Sequence, residues 1–228
     1  MVRASLDKSD LVNVCDREAD FFELFEEQLR NPSVELLVRA NHNRVIKENP
    51  GKLFDAVRQS PLQTKVQVPV PRQSARPKLS KTKARAKRSG RQAELEVRYQ
   101  RYQLCPPAYY SQKEPIDLWC IHAVESAPPE GNKPVEWFLL RTINIGSAED
   151  AVSCLRWCCL RWRNEDFHRV LKSGCRVEQI AQETAERIRR AIAINLVIAW
   201  RIMLMTLPGR ETPELPPDAC SRISNCRF

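Results

Sequence analysis

The chain has 228 residues, 43% of them hydrophobic and 29% charged, a balance that suits a globular protein with one or two buried cores. Its net charge of +9 points to an acidic partner, above all nucleic acid. Six glycines leave little room for a phosphate-binding loop, and the nine cysteines show no paired C-x-x-C spacing, which argues against a zinc site.

An odd number of thiols and a polar opening from Met1 to Asp10 fit reduced thiols in a cytoplasmic protein. The most apolar stretch, Ala191 to Met205, is broken by Asn195 and Arg201, so the expectation is a buried helix and no membrane partner.

Leu11 to Cys15 is a short apolar run that predicts a buried strand with Asp16 at its carboxyl end. An amphipathic helix follows to about Leu29, with Phe21, Leu24, Phe25 and Leu29 inward, and Asn31-Pro32 ends it. Val34 to Val38 predicts a second strand, and polar, basic residues from Arg39 to Arg44 come next. Strand, helix and strand at this length predict a parallel pair. Functional residues of such sheets collect at the carboxyl ends of the strands, where Asp16 and Arg39 stand. Asp16 also suits a helix cap, and Arg39 and Arg44 also suit an ordinary surface.

From about Lys47 the pattern changes to polar-apolar alternation. Strands are predicted at 65–70, 93–100, 118–124 and 137–141, making residues 47–146 a β-rich insertion. Its expected hairpin tip carries Arg72, Arg76, Lys78, Lys81, Lys83, Arg85, Lys87, Arg88 and Arg91 with no acid among them. Such a run neutralises phosphates, with binding that weakens steeply in salt. Trp137 opens the last of these strands, a place more suited to a core residue than to a base-stacking platform.

One long helix is expected to start at Ser147, with Asp150 in capping-box position, and to stop at Gly174. At about 100° per residue, Arg161, Glu165, His168 and Lys172 fall on one side of it. The stripe suits metal-assisted chemistry on a phosphate backbone, with the acid on a cation and the bases on phosphates. It equally suits a solvated face laced with i,i+4 ion pairs. A second helix is expected from Val177 to Leu207, with Pro208-Gly209 ending it and an irregular tail over 208–228.

Taken together, Asp16-Arg17-Glu18-Ala19-Asp20 after a strand and Arg161-x3-Glu165-x6-Lys172, with Trp137 upstream, resemble bacterial insertion-sequence transposases of the DDE class. These carry a Tyr-Arg-Glu-Lys signature. The resemblance runs from about Val12 to Leu207 and implies an α/β fold: a partial RNase H-like catalytic core interrupted by a β-rich insertion and followed by helices. Residues 1–46 would form the second half of that core, and 147–207 would complete it.

The resemblance implies Asp16 and Glu165 as catalytic, metal-binding carboxylates for Mg2+ or Mn2+. It further implies Arg39, Arg44, Trp137, Arg161, His168 and Lys172 as contacts to double-stranded DNA at transposon ends. It departs from the family at Cys158, where the signature has its tyrosine. The family's first aspartate lies on a strand well before Asp16, and neither Asp7 nor Asp10 suits that place. The expectation is therefore an internal piece of a transposase, with weak or absent strand transfer. It would act as a homodimer or with a full-length transposase, or else as a non-catalytic DNA-binding remnant that inhibits one.

Overall fold

The structure is a computed structural model, and it describes residues 11–48, 51–70 and 90–211. The chain divides into two compact units between Cys159 and Leu160. The first is a mixed α/β unit. Strands β1 (Val12–Cys15), β2 (Glu35–Arg39), β3 (Thr64–Val70), β4 (Arg91–Leu104), β5 (Ile116–Glu125) and β6 (Glu136–Arg141) form one sheet in the order β1-β2-β6-β5-β4-β3. β1 and β2 are parallel, and every other neighbouring pair is antiparallel. The alternating segments of 47–146 thus supply four strands to the same sheet that holds β1 and β2.

Alternation sorts the sheet's side chains into two cores. Helices α1 (Phe22–Arg30) and α2 (Leu53–Gln59) cover one face, where Phe22, Phe25, Leu53 and Val57 pack with Leu36, Val38, Phe138 and Leu140. Helix α3 (Ala148–Leu160) covers the other, where Ala151, Cys154, Leu155 and Cys158 pack with Leu37, Leu139, Ile121 and Trp137. Each fully enclosed Leu or Phe contributes about 1.5–3 kcal/mol of transfer free energy.

The predicted strands are all present, and the expected parallel β1–β2 pair is formed with α1 between them. In α1, Phe25 is buried and Leu24 packs against the core as expected, while the first and last inward positions differ. Phe21 is its N-cap, in extended conformation and 45% exposed, so Phe22 takes the inward position and Leu29 is left 58% exposed. Helix α2 was not expected from the sequence. The Asn43 side chain caps it by accepting the Phe54 N–H at 2.8 Å, a cap supplied from eleven residues upstream.

The expected Ser147 cap is present. Ser147 Oγ accepts the Asp150 N–H at 3.3 Å, and Asp150 Oδ2 accepts the N–H groups of Gly146 and Ser147 at 2.9 and 3.1 Å. Those amides, Gly146 first, hold the Asp150 carboxyl below the usual aspartate range.

The continuous helix expected from Ser147 to Gly174 is instead three pieces. α3 ends at Leu160, α4 spans Trp162–Arg169, and a π-helical turn spans Val170–Gly174. The turn closes with the Cys175 N–H on the Val170 carbonyl at 3.0 Å, and Arg176 then turns left-handed at φ 50°. The last helix, α5 (Ala185–Glu211), starts later than expected. Ile180 is extended after a 3-10 turn at Val177–Gln179, and Thr184 supplies the cap through Oγ1 to the Arg187 N–H at 3.3 Å. α5 also runs past Pro208, where a stop was expected. The basic tip over 71–89, Asp7 and Asp10, and the tail beyond Glu211 lie outside the described residues. No helix of the described residues is long and apolar enough to cross a membrane.

Candidate functional site

β1 and β2 end side by side. Cys15 stands opposite Val38 in their parallel register, so Asp16 follows at the level of Arg39. Across β2 and β6, Arg39 is paired with Leu139, two residues beyond Trp137. The Arg39 guanidinium lies 5.8 Å from the centroid of the Trp137 ring. The end of α3 reaches the same place. Burial pushes the Cys159 thiol up to about 11, the neighbouring Cys158 adds to this, and the Arg39 cation opposes it. One end of the sheet thus collects Asp16, Arg39, Trp137 and Cys159.

Each of these residues also has a local task. Asp16 is half-buried, and its Oδ1 accepts the Glu18 N–H at 3.0 Å, capping the 3-10 turn Arg17–Ala19. Trp137 is 8% exposed and belongs to the core beneath α3. Cys158, at the signature's tyrosine position, is buried in that core as a small apolar side chain.

Arg44 does not lie on an open surface. Its guanidinium is turned inward onto Asp20, with Nη2 donating to Oδ1 at 2.7 Å and side-chain exposures of 11% and 0%. Nη2 also donates to the Asp20 carbonyl at 2.7 Å. Arg91, expected on the basic tip, is the first residue of β4 and donates through Nε and Nη2 to the buried Glu125 at 2.9 and 2.7 Å.

The second unit carries the remaining expected site residues. Glu165 is exposed on α4, and Arg161, the residue preceding that helix, pairs with it at 3.5 Å across an i,i+4 spacing. His168 is exposed beside Phe167, ring centroids 5.8 Å apart. Lys172 is exposed as well. It sits in the wider π turn and donates to Glu178 at 2.9 Å, which raises its pKa above the usual lysine value.

Asp16 and Glu165 offer carboxylate oxygens, hard donors that fit Mg2+ or Mn2+ in kind. Among the described residues no three His, Cys, Asp or Glu side chains are grouped to hold a metal ion. Asp20 is the residue that sequence reasoning passed over. The available signal was an acid directly before an aromatic pair, Phe21-Phe22, at the start of a helix that had to be buried. No family model matches the chain.

Proposed function

We propose that the chain is a DNA-handling protein of the DDE transposase class, with an RNase H-like core whose second half is β1, α1 and β2. One observation carries the reading: Asp16 follows β1 at the level of Arg39, so the parallel pair ends in an acid beside a cation. This is where a phosphate and a divalent cation would be met in such a sheet. Arg39 neutralises a phosphate of double-stranded DNA at a transposon end. Asp16 in the first unit is one carboxylate that would hold Mg2+ or Mn2+, and Glu165, paired with Arg161 at 3.5 Å in the second unit, is the other that the resemblance implies. The cation, when bound, supplies activation of water or of a 3′-hydroxyl for in-line attack on a phosphodiester. Strand cleavage and transfer at transposon ends are the proposed reactions. A second copy or a full-length transposase is the partner that would complete them.

A second reading is favoured by a specific observation. Asp16 is engaged as a turn cap and Glu165 is ion-paired with Arg161, as structural acids are. On this reading the chain occupies DNA without cutting it and titrates a full-length transposase. Incubation with end-containing duplex DNA and Mn2+ separates the two. The first reading predicts slow nicking that disappears in both Asp16→Asn and Glu165→Gln. Nicking that ignores both substitutions removes the transferase assignment, and absence of nicking with intact DNA binding selects the second reading.

A further inference from the structure

Asp20 takes no part in the chemistry proposed above, yet it is among the most enclosed acids of the described chain, 3% exposed. A single loop, the five residues after Arg39, converges on it. Asp20 Oδ2 accepts the N–H groups of Asn41 and His42 at 2.6 and 2.8 Å. Oδ1 accepts Arg44 Nη2 at 2.7 Å and Nε at 3.3 Å. The loop is tied at two more points. Ala40 donates its N–H to the Phe138 carbonyl at 2.8 Å, and Asn43 caps α2.

The amides of residues 40, 41 and 42 are therefore all spent inside the protein. What the loop offers to solvent is the side chains of Asn41 and His42, both exposed. These are an amide and an imidazole, donors of the kind that contact phosphate oxygens. They stand two and three residues after Arg39, past the strand end that is level with Asp16.

We propose that Asp20 is the positioning residue of this interface. It locks residues 40–44 to the β1–α1 connection, and so presents Asn41 and His42 beside Arg39 as further contacts to a DNA phosphate. A buried carboxylate clamped by two amides and a fork of guanidinium donors has one geometry, which holds the loop at no further entropic cost on binding. The proposal rests on the DNA-binding reading.

The test uses the full chain, a fluorescein-labelled duplex and hydrogen exchange. The Asn41→Ala/His42→Ala pair weakens duplex affinity about tenfold, as loss of phosphate contacts does. Asp20→Asn weakens it by a similar factor, and combining it with the pair adds little, because Asp20 acts through those two side chains. In Asp20→Asn the amides of Asn41 and His42 exchange faster, while those of β5 keep their protection. Should Asp20→Asn fail to fold, Arg44→Lys removes the fork but keeps the charge and carries the same comparison. Wild-type affinity in Asp20→Asn, losses that multiply in the combined variant, or unchanged exchange at Asn41 and His42 each overturn the proposal. Failure of the DNA reading looks different: wild type and Arg39→Ala then bind the duplex equally, and the proposal falls with it.

Discussion

Arg39 covers Trp137: the guanidinium stands 5.8 Å from the ring centroid, and the indole is only 8% exposed. The tryptophan is held under a cation and inside the core beneath α3, so its first duty is to stability. Trp137→Ala is expected to cost about 3–5 kcal/mol in urea unfolding, the range for emptying a large aromatic site. Trp137→Phe, which keeps a ring under the cation, is expected to cost much less. An unfolding midpoint unchanged by Trp137→Ala would show that the indole is a surface platform after all.

Phe138, the next residue, faces the opposite side and is stacked between two rings. Phe54 lies 3.9 Å away at 12°, and His122 lies 4.6 Å away at 18°. Arg58 of α2 sits 5.1 Å from the same ring and also reaches Glu136 through Nε at 3.0 Å. Phe138 is thus the floor on which α2 rests. Phe138→Ala should cost about 3–5 kcal/mol and should raise hydrogen exchange in α2 more than in α1. Equal loosening of both helices would contradict this placement.

His122 gives the fold an acid limit. Burial lowers its pKa, with the cations Arg58 and Arg98 adding to the effect, while the hydrogen bond to Glu136 at 2.9 Å opposes it. Its Nδ1 is buried without a hydrogen-bond partner in the described structure. The folded chain therefore takes up this proton less readily than the unfolded chain. Stability is full above the unfolded imidazole pKa of about 6.5 and declines as pH falls from there through the lower folded value. Thermal unfolding between pH 8 and 5 should show this decline, and His122→Gln should flatten it. A midpoint that rises on acidification would reverse the sign and refute the assignment.

Local pattern carried much of this fold into view before the structure. β3 and β4 were legible because their side chains alternate, β5 and β6 as short apolar runs, and the Ser147 cap because both partners lie within three residues. What stayed hidden depends on distant partners. α2 is two turns long, and its cap comes from Asn43, across the loop before it. Asp20 meets Arg44 only after β2 has brought the chain back. The break after Leu160 and the π turn at Val170–Gly174 escaped because a change of winding over five residues barely disturbs an apolar period. At the candidate site, the Asp16–Arg39 neighbourhood was foreseen from the parallel pair. The inward turn of Arg44 was not, since a basic residue in a polar loop looks the same whether it points out or in.

The most direct test is the affinity of the full chain for a labelled DNA duplex, followed across salt concentration in wild type and Arg39→Ala. The account predicts affinity that falls steeply with salt, is about tenfold weaker in Arg39→Ala, and loses about one unit of salt slope in that variant. Binding that is absent, or that keeps the same strength and slope without the Arg39 cation, would contradict it.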